Sequence, residues 1–218
     1  MSIKNVTLPY YTETEEILNR ISHGIGILIG LVSLIYYSVS LTDKNSIIGT
    51  AVFSLSVIAL FFVSTAYHSF KAEKIKKIFR LIDHSSIYVL ISGTIIAICF
   101  ICIYDKTPAV AICTSAVCAV LSAVGIILTL IDHEKYKNVQ LALYLLMGWG
   151  AAVLAFPLFK YTENPVPVVI PLLIGGISYT VGTVFYKLGK KRRYFHSIFH
   201  VFVLAGTILH LIAINVAL

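Results

Sequence analysis

Charge is scarce in this chain. Only 12% of its 218 residues are Asp, Glu, Lys or Arg, while 58% are hydrophobic and mean hydropathy is +0.91. A soluble fold of this length has too little interior to hide so much apolar side chain, which excludes a freely soluble enzyme or binding module. Acidic residues are the scarcest, ten against seventeen basic, leaving a net +7. The basic residues fall in short clusters between apolar runs, where they report membrane topology and contact with anionic headgroups, so no nucleic-acid partner is expected. Long polar stretches are missing as well, and no connection leaves room for a second domain. The first twenty residues lack the short apolar core of a cleavable leader, because Thr12-Glu13-Thr14-Glu15-Glu16 interrupts them. They are expected to remain as a cytoplasmic N-terminal segment. Thr12 and Glu15 have capping-box spacing, so either a short interfacial helix runs into the first span or the terminus is polar and frayed.

What the chain has instead is apolar runs. Seven are legible, at Ile21–Leu41, Ile47–Tyr67, Ile82–Tyr104, Ala109–Ile131, Val139–Phe159, Val166–Tyr186 and Phe195–Val216. Each is near the ~20 residues a helix needs to cross the hydrocarbon. The expected fold is an all-α integral membrane protein, one seven-transmembrane-helix bundle over residues 21–218, placed in the cell (plasma) membrane. Fourteen of the seventeen basic residues fall in the N-terminal segment and the second, fourth and sixth connections; only Lys44, Lys106 and Lys160 fall elsewhere. Basic residues mark the cytoplasmic side, so the N-terminus is expected there and the C-terminus outside.

On this layout five residues converge at one depth. Ser64 and His68 stand four apart near the cytoplasmic end of the second span, and His196 and His200 repeat that spacing at the start of the seventh. Each pair shares one helical face. Asp83 opens the third span at the same level. Three imidazoles suit zinc, leaving a fourth position for water that Asp83 can orient or deprotonate. Ionisable groups in a membrane segment cost ~2.5–3.5 kcal/mol each on insertion scales, so several at one depth need a shared explanation. The bland alternative is that they snorkel separately into the headgroups.

Three segments carry a family resemblance: Ser64-Thr65-Ala66-Tyr67-His68-Ser69-Phe70, Arg80-Leu81-Ile82-Asp83-His84-Ser85-Ser86-Ile87-Tyr88, and Phe195-His196-Ser197-Ile198-Phe199-His200-Val201-Phe202-Val203-Leu204-Ala205-Gly206. They closely resemble the signature segments of the hemolysin III family, the bacterial branch of the progestin and adiponectin Q receptor superfamily. Asn19-Arg20-Ile21-Ser22-His23-Gly24 and Gly175-Gly176-Ile177-Ser178-Tyr179-Thr180-Val181-Gly182 resemble its first and sixth helices, so the likeness covers nearly the whole chain. It implies seven helices and a zinc ion near the cytoplasmic face held by His68, His196 and His200. It further implies that Asp83 holds the metal's water, with Ser64 as the family's serine, and a ceramidase-like hydrolytic activity. One departure is Gly93-Thr94-Ile95-Ile96-Ala97, where family members often carry Gly-Thr-Tyr-Thr-Pro; the proline kink is absent.

Other histidines are expected to do less. His84 points about 100° away from Asp83 and reads as a cap or headgroup contact. His23 is either a hydrogen-bond partner of the site or interfacial. His210 lies ~15 Å beyond His200, out of ligand range, and His133 reads as a loop residue. Cys99, Cys102, Cys113 and Cys118 read as small apolar packing residues, with a disulfide or thiolate site as the alternative. Gly26-x-x-x-Gly30 and Ser178-x-x-x-Gly182 offer small faces for packing within the bundle or in a homo-oligomer, and Pro157 and Pro171 are expected to kink their helices. Three functions stay open: a zinc-dependent hydrolase of a lipid-like amide or ester, a receptor or regulator with structural zinc, and the lytic activity that the family name implies. Membrane lipid is the expected partner, as substrate or ligand.

Overall fold

A computed structural model describes residues 5–189 and 192–218, and every regular element among these is helical. Helix α1 covers Glu13–Ser40, α2 Lys44–Ser69 and α3 Glu73–Ile98, the last continued by a π-helical turn at Cys99–Ile103. Helix α4 covers Pro108–Gly150; a 3-10 turn at Ala151–Leu154 then leads into α5 at Ala155–Tyr161. Helices α6 (Val166–Leu188) and α7 (Phe195–Ala217) complete the chain. Helices satisfy every backbone group within the segment, which lipid demands. The protein is therefore an all-α, multi-pass membrane protein.

Local chemistry sets where the first helices begin. The Thr12 hydroxyl accepts from Glu15 N–H, and the Glu15 carboxylate accepts from Thr12 N–H at 2.9 Å, closing a full capping box. The interfacial segment and the first span are thus one 28-residue helix. Thr12→Ala removes this cap and is expected to cost about 1 kcal/mol, read as a lower unfolding midpoint in detergent. At α2, the Asp43 carboxylate accepts from Ser46 N–H at 2.7 Å, which holds its carboxyl below the usual aspartate range.

Among the described residues six helical stretches, not seven, are long and apolar enough to cross a membrane. The expected fourth and fifth spans run together as Pro108–Tyr161, with no separate loop between them. The break is a single residue, Asp132, at φ −160° and ψ 94°. The two limbs nevertheless fold back on one another. The Tyr88 ring packs against Gly125 on the first limb, and its centroid lies 4.4 Å from that of Tyr144 on the second. Nineteen residues of straight helix would hold those two positions about 28 Å apart. The expected fourth and fifth spans are thus two limbs of one stretch that turns back at Asp132.

Polar contacts identify its two ends. At one end Asn5 and Thr7 reach Asp132 and Glu134, Glu16 pairs with Lys76, Arg80 lies 3.7 Å from Glu134, and Tyr194 N–H donates to Glu15. At the other, Asn45 donates to Asp105 at 2.7 Å. The first end carries the basic-rich connections, so the charge split read from sequence divides the bundle end from end. Lys4, Lys190 and Lys191, counted in that split, lie outside the described residues.

Small residues let the helices approach. A side chain at Gly26 would collide with the Phe61 ring, and one at Gly30 with Ile58, so this pair serves α1–α2 packing inside the bundle. Ser178 donates to Phe202 O at 2.8 Å, and Gly182 lies under Phe199 and Phe202, fastening α6 to α7. Pro157 sits in α5, just after the 3-10 turn that interrupts the second limb, whereas α6 runs through Pro171. Cys99 and Cys118 are buried as small packing residues and all four thiols are free.

Candidate metal centre

Three of the five residues singled out above meet in the bundle. His68 descends from α2, and His196 and His200 from the first turns of α7; all three are buried. One ligand-type nitrogen from each lies within 4.8 Å of the other two. His196 Nε2 and His200 Nε2 are 3.0 Å apart. The His68 ring centroid lies 5.4 Å from that of His196 and 4.9 Å from that of His200. Among the described residues this is the one group of three or more His, Cys, Asp or Glu side chains so disposed.

The residues fit a metal ion. His68 Nε2 and His200 Nδ1 are buried nitrogens with no hydrogen-bond partner in the protein. A buried polar atom left unpaired costs free energy, and coordination is the contact that three converging imidazoles share. The group could therefore hold a metal ion.

Asp83 and Ser64 stand beside this group. Ser64 is buried one helical turn before His68, and its hydroxyl pairs with the Asp83 carboxylate. Asp83 keeps 18% of its side chain exposed because it opens onto a cavity. It does not belong to the three-nitrogen group itself.

That cavity, of about 290 Å³, lies among α3, the second limb of α4, α5, α6 and α7. Asp83, His84, Tyr186 and His196 line one end; Leu90, Ile91 and Leu172 line its body; His210 lines its far part. His196 and His210 are fourteen residues apart on one helix, so the cavity extends roughly 20 Å along the bundle. An apolar tube with a few convergent polar groups at one end is the form of a small-molecule site. His210 bonds to Leu172 O at 3.3 Å, far from the triad as expected.

Several surroundings of the centre were not legible in the sequence. Glu16 Oε2 lies 2.5 Å from His68 Nδ1, and Asn19 Nδ2 lies 3.4 Å from the same atom. The Tyr11 ring stacks on His196 with centroids 4.7 Å apart and covers the triad from the N-terminal side. Burial pushes the Tyr11 phenol well above its ordinary pKa, so it stays neutral. Glu15 carries the entry into α7, because Tyr194 sits at φ 64°, a conformation side chains rarely adopt, with its N–H held 2.7 Å from the Glu15 carboxylate. The signal that could have found this side of the site is the stripe Glu15, Asn19, His23 at four-residue spacing, polar and buried on an otherwise apolar helix.

Of the other histidines, His84 and His133 differ from expectation, whereas His23 takes the site-facing one of its two alternatives. His23 is buried against the centre, its ring 3.7 Å from that of His200, and is not interfacial. His84 is buried rather than capping or touching headgroups; Nδ1 lies 2.8 Å from Arg80 O and Nε2 2.9 Å from Tyr186 Oη. His133 is buried directly after the Asp132 break, 2.9 Å from Gln140 Oε1, because the segment expected as a loop is helix.

Comparison with known proteins fits this arrangement. Residues 11–211 match the family model described as haemolysin-III related. The chain is 32% identical over 200 residues to the hemolysin-3 homolog of Bacillus subtilis (strain 168), covering 90% of this chain and 91% of that protein. It is 33% identical over 197 residues to hemolysin-3 of Bacillus cereus, covering 88% and 87%. A more distant similarity, 28% over 168 residues, covers 75% of this chain and 67% of the human monocyte to macrophage differentiation factor.

Proposed function

From the premise that this chain belongs to the haemolysin-III-related family, and from its histidine triad, we propose a zinc-dependent membrane hydrolase acting on a lipid-like amide or ester. One juxtaposition carries the proposal: three buried imidazoles, two of them with an unpaired nitrogen, stand at the polar end of an apolar cavity, beside a carboxylate and a hydroxyl that pair with each other. Three neutral nitrogen ligands form a set that zinc favours in catalytic sites. His68, His196 and His200 would hold the ion, and zinc, when bound, supplies Lewis acidity and a lowered pKa for water.

The protein's own groups do the remaining work. The apolar body of the cavity takes the hydrocarbon part of an amphiphile and brings its polar link toward Asp83 and His196. Asp83 is the proton acceptor on that wall, and the Ser64 hydroxyl orients its carboxylate. Tyr11 closes the centre on the side of the N-terminal segment, which limits entry of bulk water.

The test is product release from zinc-loaded protein in nanodiscs, across a panel of lipid amides and esters followed by mass spectrometry. Protein with stoichiometric zinc and no product from any substrate overturns the hydrolase. Asp83→Asn is expected to lower kcat by roughly 10²–10⁴ while the bound metal stays near the wild-type level. One observation favours a second role, in which the ion only staples the bundle. The backbone of α7 packs on α6 and α1, and the His68 ring reaches across to His196 and His200, so the triad links α2 to α7. If the staple is the whole function, the histidine variants lose thermal stability, while Ser64→Ala alters neither stability nor phenotype.

A further inference from the structure

Helix α1 contributes no histidine to the triad, yet Glu16, Asn19 and His23 form one face against it, at i, i+3 and i+7. Glu16 makes the shortest of these contacts. Its Oε2 lies 2.5 Å from His68 Nδ1, and its Oε1 receives the Lys76 ammonium. With a lysine beside it the side chain is a carboxylate, and a carboxylate can only accept. His68 Nδ1 therefore carries the ring proton, and the lone pair is left on Nε2. That Nε2 is the buried atom with no partner in the protein, in the ring that faces His196 and His200.

We propose that Glu16 is a positioning residue of the metal centre. It fixes His68 in the tautomer and ring orientation that present Nε2 to an ion. This rests on the metal-binding part of the proposed function and is independent of hydrolysis. The competing explanation is that Glu16 is present only for Lys76, as an ion pair tying α1 to α3. Both side chains of that pair are about 15% exposed, so packing alone could justify it.

Zinc affinity separates the two. The full chain, purified in detergent, is titrated against a chromophoric chelator that competes for zinc. Cobalt(II) loaded in parallel reports, through its visible spectrum, how many nitrogens bind. Size-exclusion elution and circular dichroism confirm that each variant is folded. Glu16→Gln, which keeps the shape and loses the charge, is expected to weaken zinc binding about 10–100-fold, with Lys76→Met staying within about threefold of wild type. Glu16→Asp retains the carboxylate and is expected to recover part of the loss, so the comparison survives should the glutamine variant misfold. Equal affinity in Glu16→Gln and wild type overturns the positioning role alone, as does a loss in Lys76→Met matching that in Glu16→Gln. Wild-type protein with no zinc affinity overturns the metal centre and the positioning role together.

Discussion

His200→Ala leaves the purified protein with little or no bound metal. Its loss of affinity is expected to exceed the about 10–100-fold that follows removal of an outer hydrogen-bond partner, because a ligand itself is gone. The side chain is 1% exposed, Nδ1 has no other partner, and Nε2 is 3.0 Å from that of His196. No neighbouring His, Cys, Asp or Glu among the described residues completes a substitute group of three. Elemental analysis after dialysis against a weak chelator makes the measurement. The matched control is His210→Ala, which removes an imidazole from the same helix and the same cavity and is expected to keep full metal content. A His200→Ala protein that retains as much metal as wild type would remove the basis for the centre.

The second large effect concerns the fold. Tyr88 is completely buried, seated against Gly125 on one limb of α4 and against Tyr144 and Gln140 on the other. Both limbs close on this ring. Tyr88→Ala is expected to destabilise the bundle by about 3–5 kcal/mol, the range for deleting a buried aromatic ring. Its hydroxyl reaches Gln140 O at only 3.4 Å, so Tyr88→Phe should cost less than about 1 kcal/mol. Unfolding in mixed micelles of increasing denaturing-detergent fraction measures both. If the two variants unfold at the same midpoint, the ring does not carry the closure.

Most of the architecture could be read from the residues because lipid leaves the backbone so few choices: an apolar run of spanning length must be a helix, and the basic clusters mark its ends. The joint between the fourth and fifth runs could not. Asp132 to Asn138 has the polarity of a loop, yet only Asp132 leaves the helical region, and local composition cannot distinguish a loop from a helix broken at one residue. That error moved His133 from the bundle to the surface. His68, His196 and His200 were legible because four-residue spacing reports a shared face directly. Glu16 was not, since it meets His68 across 52 residues of chain and no periodicity links them. His84 turns away from Asp83, but that side of α3 faces Tyr186 and His133 of neighbouring elements rather than headgroups, which single-helix geometry does not reveal.

The distribution of the triad along the chain has a consequence for biogenesis. His68 is synthesised early with α2, whereas His196 and His200 follow only with α7. A nascent chain that has not yet made α7 carries one imidazole of the triad. A site that needs all three nitrogens therefore forms only after α7 is made, too late to guide insertion of the earlier helices. A product truncated before α7 lacks two of the three triad nitrogens, and its α1 lacks the face that α7 packs against.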